Sequence, residues 1–150
     1  MRAGFGSAIP ITRESLLFAQ QFGGTDIVPS PNDVPSEDGI WSVNDLVKLR
    51  QTIETYGLKL SAIENVPINF YDHIMLNGPK RDEQIEKMIT NVRNMARAGV
   101  PIFGYHWMPS FTWRGPDVQI RGGASATAFD YAGIRHLPLT HGRVFTEDEM

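Results

Sequence analysis

The 150-residue chain contains no cysteine. That excludes a disulfide framework, a thiolate nucleophile and a cysteine metal ligand within it. No apolar run approaches the ~18–20 residues that a bilayer-spanning helix needs, so no membrane partner is expected. There is no basic excess either: 14 Lys+Arg, scattered along the chain, stand against 17 Asp+Glu and leave a net charge of -3. That gives no electrostatic case for nucleic acid. Gly4-Phe5-Gly6 lacks the third glycine of a dinucleotide fingerprint, and Gly122-Gly123 precedes no lysine. No nucleophile elbow or Ser–His–Asp constellation can be read. The first residues lack the basic-then-apolar pattern of a signal peptide, because glycine, proline and threonine interrupt them. A cytoplasmic location is therefore the expectation.

What is present is an ordinary globular composition, 41% hydrophobic and 21% charged, with enough chain for one domain and a real core. Its organisation comes from three glycines. Gly23, Gly57 and Gly99 each close an amphipathic stretch, and an apolar run follows each at once: Thr25–Pro29, Leu58–Val66 and Val100–Tyr105. With the opening run Arg2–Phe5 the order is β-α-β-α-β-α-β, which predicts a parallel sheet. The first helix spans Arg13 to about Phe22 behind a Thr12 cap. The second starts after Ser42, with Asp45 completing a capping box, and turns Leu46, Leu49, Ile53 and Tyr56 to one face. The third, Arg81–Ala98, has Ile85, Met88, Ile89, Val92, Met95 and Ala96 at helical spacing. Ser30–Ile40 and Asn69–Pro79 read as loops, and 107–150 shows no clear period. Thr146 followed by Glu147, Asp148 and Glu149 reads as the first turn of a further helix, so the chain is expected to be truncated there.

Parallel strands place their chemistry at their carboxyl ends. The richest such place follows the fourth run. Tyr105-His106-Trp107-Met108-Pro109 leaves the strand, and Ser110-Phe111-Thr112-Trp113-Arg114 brings more aromatic and charged groups after it. Aromatic walls with a few polar groups suit a small polyol or sugar acid. Arg114 has the fork to hold a carboxylate by two parallel hydrogen bonds. His106 has three readings: general acid/base, metal ligand or structural histidine. Glu64 sits among apolar neighbours, where burial would demand a partner, a cation or a raised pKa; the other reading faces it to the helix layer beside a base. Asn32, Asp33 and Asn69 are turn-formers as readily as ligands. His73, His136 and His141 read as solvated loop histidines, Trp41 as the apolar residue packed ahead of the Ser42 cap, and Met88 and Met95 as core.

Several stretches resemble the N-terminal half of the mannonate dehydratases, metal-dependent lyases with a (β/α)8 barrel. They are Val34-Pro35 through Ile40-Trp41-Ser42-Val43, Ile63-Glu64-Asn65-Val66-Pro67-Ile68, Asn91 through Gly99, and Tyr105-His106-Trp107-Met108-Pro109 with Trp113. Phe145-Thr146-Glu147-Asp148-Glu149-Met150 is also similar to the start of that family's next helix. The chain departs from the pattern where the family usually has asparagine at His106, a histidine near Asn69, an aspartate at Thr112 and paired histidines in Val28–Asp33.

The resemblance implies an α/β fold, the parallel half of a TIM barrel with four strands and three helices and a long loop region after them. It implies loss of water from D-mannonate to give 2-keto-3-deoxy-D-gluconate, in hexuronate catabolism. His106 and Glu64 would then be catalytic, and Tyr105, Trp107, Asn69, Trp113 and Arg114 would bind substrate. The implied metal is Fe2+ or Mn2+, with its ligands in the C-terminal half and none here. A homo-oligomer is a further possibility. Two alternatives stand beside this reading: a metal-dependent sugar isomerase or epimerase of the same barrel type, with Glu64 and His106 as proton-shuttling pair or ligands, and a non-catalytic half-barrel that pairs with itself to cover its open sheet edges.

Overall fold

The first two long helices begin at side-chain caps. In the computed structural model, which describes residues 1–6, 10–108 and 115–135, helix α1 spans Arg13–Gln21 behind Thr12. The Thr12 hydroxyl accepts from the Ser15 amide at 3.2 Å, and Ser15 returns the bond to the Thr12 amide at 3.0 Å. Helix α2, Val43–Glu54, starts at Ser42, whose hydroxyl accepts from the Asp45 amide and donates to the Asp45 carboxylate at 2.7 Å. After it come a short helix α3, Asp72–Met75, and the long α4, Arg81–Ala98. The three helix-closing glycines take the left-handed conformation, with φ of 75° at Gly23, 70° at Gly57 and 76° at Gly99.

The chain divides into two units, Met1–Trp107 and Met108–Met150. In the first, strands β1 (Gly4–Phe5), β2 (Asp26–Ile27) and β5 (Lys59–Leu60) form a parallel sheet in that order. Gly4 and Phe5 face Asp26 and Ile27, which face Lys59 and Leu60. A further parallel bridge joins Ile63 to Phe103; the Ile63 amide donates to the Ile102 carbonyl at 3.1 Å and the Gly104 amide to the Ile63 carbonyl at 2.9 Å. The apolar runs therefore lie side by side in chain order, as the alternation predicts. They pair over shorter lengths than expected, because prolines 29, 67 and 101 cut the ladders.

Both expected loops hold structure. Within Ser30–Ile40, a turn at Pro31–Asp33 is capped by Ser30, and strands β3 (Ser36–Glu37) and β4 (Ile40–Trp41) pair antiparallel. The hairpin turns on Asp38 (φ 49°) and Gly39 (φ 76°), the Asp-Gly pair that a two-residue turn requires. Within Asn69–Pro79 lie the end of a turn at Ile68–Phe70 and all of α3.

The α4 stripe also differs from the predicted one. Its buried residues are Gln84, Asn91, Met95 and Ala98, while Ile89, Val92 and Ala96 are exposed. Two amides hold the centre of the buried face because loop backbone lies against it. Asn91 accepts from the Trp41 amide at 2.8 Å and donates to the Gly39 carbonyl at 2.9 Å, and Asn94 donates to the Trp41 carbonyl at 2.8 Å. Gln84 accepts from the His73 and Ile74 amides and donates to the Asn69 carbonyl and the Asp72 carboxylate. The helix thus latches the hairpin and α3 by amide bonds.

The core runs through Leu16, Ile27, Trp41, Leu46, Ile53, Leu58, Ile63 and Met95. Trp41 is fully buried, as expected ahead of the Ser42 cap, with its ring 5.5 Å from that of Phe70 and 6.4 Å from that of Phe103. One buried carboxylate ties the sheet together. Asp26 accepts from the Thr25 and Ser61 hydroxyls and pairs with Arg2 at 3.2 Å. The Ser61 and Thr25 hydrogen bonds hold its pKa below the ordinary value, against the effect of burial.

In the second unit, where no period was read, strands β6 (Val118–Gln119) and β7 (Ser125–Ala126) form a small antiparallel hairpin, and Asp130 caps a short helix α5, Tyr131–Ile134. Among the described residues no helix is long and apolar enough to cross a membrane.

Candidate active site

The rim after the last apolar run is built around a close strand approach. A side chain at Gly104 would begin 3.3 Å from the Ile63 carbonyl oxygen, so glycine lets the chain pass along its neighbour. Beyond it Tyr105, His106 and Trp107 leave the sheet together. On the neighbouring run, Asn65 has φ of 70°, a conformation asparagine tolerates better than most residues. The Asn65 carboxamide oxygen lies 2.8 Å from His106 Nδ1. Tyr71, 1% exposed, meets the His106 ring edge-on at 5.8 Å and stacks on Trp107 at 5.3 Å with the planes 24° apart. Tyr105 stacks on Phe103 at 6.5 Å. With Met88 and Ile89 of α4 these rings line a hollow of about 320 Å³. Trp107 and Tyr105 remain 52% and 72% exposed, which leaves aromatic faces open to a ligand.

A second hollow, of about 410 Å³, lies between the hairpin, α3 and the first half of α4. Its lining is polar and its charges answer one another. Lys87 pairs with Glu83 at 2.6 Å and with Asp38 at 2.9 Å. The ammonium holds both carboxyls below their ordinary range, and they raise its own pKa, Glu83 most.

Of the sequence-predicted site residues, the fold brings Tyr105, His106 and Trp107 together. Asn69 lines the other hollow, beside Asp72 and His73, and its carbonyl is held by Gln84. Glu64 is exposed and lines neither hollow, so the buried position that would demand a partner or a cation is not the one it takes. Trp113, Arg114, His136 and His141 lie outside the described residues. Sequence reasoning placed Asn65 in a candidate strand-end stretch but gave neither it nor Tyr71 a role. The signal for Asn65 was its residue type, after glycine the one most at ease at positive φ, directly before Val66-Pro67. Tyr71 carried no signal inside an apparent loop. Among the described residues no three histidine, aspartate or glutamate side chains converge in a way that could hold a metal ion. What the rim offers is an oriented imidazole between aromatic walls, suited to moving a proton beside a carbon-rich ligand.

Comparisons with known proteins give the family. A family model of D-mannonate dehydratase (UxuA) matches residues 5–141. Mannonate dehydratase from Streptococcus pneumoniae (strain 70585) is 33% identical over 135 residues, covering 87% of this chain and 36% of that protein. Mannonate dehydratase from Thermotoga neapolitana is 34% identical over 114 residues, covering 75% of this chain and 31% of that protein. The crystal structure of mannonate dehydratase from Streptococcus suis serotype2 superposes with a TM-score of 0.73 at 26% identity, covering 92% of this chain and 40% of that one. The chain spans about a third of the length of the curated relatives it matches. The match takes in both the sheet and the rim that carries His106, and on that ground the chain belongs to the D-mannonate dehydratase family.

Proposed function

We propose that this chain forms the N-terminal half of a (β/α)8-barrel hydro-lyase that converts D-mannonate to 2-keto-3-deoxy-D-gluconate in the cytoplasm. The observation that carries the reading is the family match over residues 5–141. The parallel order of β1, β2 and β5, with Phe103 bridged beside Ile63, supports the barrel half of the proposal.

In such a reaction a proton leaves C2, next to the carboxylate, and hydroxide leaves C3. The resulting enol becomes the 2-ketone, and one water is released. His106 would exchange a proton with the substrate, as general acid or base. Tyr105 and Trp107 would hold the carbon face of the sugar acid; Trp113 and Arg114, which the resemblance implies as substrate-binding residues, lie outside the described residues. Glu64 and Asn69 share no hollow with His106, and nothing in the geometry supports their proposed roles at that site. The resemblance implies Fe2+ or Mn2+. The described residues do not fit such an ion; its ligands would come from the other half of the barrel.

The test is to supply D-mannonate to the full-length metal-loaded protein and follow the 2-keto acid chemically. Product is expected. His106→Gln should lower kcat by about 10²–10⁴-fold, the usual worth of a positioned acid or base. A loaded protein that leaves mannonate unchanged would overturn the assignment.

A further inference from the structure

We propose that Asn65 is a positioning residue that selects the tautomer of His106, so that the ring keeps its proton on Nδ1 and presents Nε2 as a proton acceptor. The inference rests on the proposed role of His106 and deepens it from acid or base to base.

A carboxamide oxygen can only accept a hydrogen bond. With Asn65 Oδ1 at 2.8 Å from His106 Nδ1, the shared proton belongs to Nδ1. In the neutral ring Nε2 then carries a lone pair, because the tautomer follows from the bond that the other nitrogen makes. Two further features hold the arrangement. Asn65 sits at φ 70°, so its side chain leaves the backbone in a direction that an ordinary extended residue would not give it. Tyr71, 1% exposed and set at 89° to the imidazole, limits rotation of the ring about its own axis. Asn65 therefore decides which nitrogen is protonated, and Tyr71 decides where the ring plane lies. A ring in this state takes a proton from carbon or hydroxyl; the opposite tautomer would present an N–H and could only donate.

The test is a long-range ¹H–¹⁵N spectrum of the ¹⁵N-labelled chain at a pH where the ring is neutral, with His106 identified by the signals lost in His106→Gln. The Nδ1–H pattern is expected. Asn65→Asp keeps an acceptor oxygen and should keep that pattern. Asn65→Gly fits the positive φ, removes the acceptor and should move the population to Nε2–H. An Nε2–H pattern in the parent, which an amide turned the other way would produce, overturns the proposal, as does a folded Asn65→Gly variant with an unchanged pattern. If the glycine variant does not fold, the parent and aspartate spectra decide. No substrate enters this experiment, so failure of the mannonate assay and failure of the tautomer assignment are separate results.

Discussion

Replacing Asn91 with leucine should cost the protein much of its stability. The side chain is fully buried, and leucine keeps its branched four-atom outline but is bulkier, so both amide bonds disappear and the site is overpacked as well. The Trp41 N–H then has no partner in a fully buried residue, and the Gly39 carbonyl loses its donor in a half-buried turn. An unsatisfied buried backbone group costs about 1–3 kcal/mol. For the two groups together, subtracting roughly 1 kcal/mol for the added apolar burial leaves a loss of about 1–5 kcal/mol before overpacking. For a domain of this size that lowers Tm by roughly 2–20 °C. Urea unfolding followed by tryptophan fluorescence reads the loss, and hydrogen exchange at the Trp41 amide reads its origin. Asn94→Ala is the control. It removes one bond to the Trp41 carbonyl from a half-buried position and should cost about 0.5–1.5 kcal/mol. If Asn91→Leu unfolds at the parent midpoint with the Trp41 amide still slow to exchange, the amide latch does not hold the hairpin.

Two further outcomes follow from the sheet. Asp26 has a depressed folded pKa, so its contribution is complete above its ordinary value of 3.8 and is lost as pH falls through the lowered one; urea midpoints between about pH 5 and pH 2 should fall less steeply in Asp26→Asn, and an unchanged acid slope would refute this. Gly24→Ala would place a methyl 2.7 Å from the Phe5 ring and 2.8 Å from the Ala19 carbonyl oxygen, and calorimetry should show a loss of about 1–3 kcal/mol, whereas a neutral result would mean that the Phe5 ring moves aside freely.

The helices were legible because their signals are local. Thr12, Ser42 and the three closing glycines act within a few residues of themselves, and the structure places caps and stops where they predict. The parallel order followed from the alternation. The α4 face was misread because the periodic count treats every apolar residue as inward. Ile89 and Val92 face outward, while Gln84 and Asn91 turn inward to meet backbone from distant parts of the chain. Nothing near residue 91 announces that Gly39 and Trp41 will arrive there. The site divides the same way. Tyr105, His106 and Trp107 share a strand end and could be read as a group. The His106–Asn65 and Trp107–Tyr71 contacts join different runs and exist only once the chain is folded. The Asp38-Gly39 turn was a local signal passed over, because the prolines around it suggested irregular chain.

The Asp26 carboxylate has a meaning for the order in which the protein assembles. Arg2 leaves the ribosome first and Ser61 much later, and both reach the same acid. Until the later segment arrives, the charge lacks its Ser61 partner and prefers water to the growing interior. Slipping a strand by one residue would exchange the faces of its side chains and leave an anion stranded where the dry side should be. The sheet is proofread by a charge that is comfortable in one alignment only.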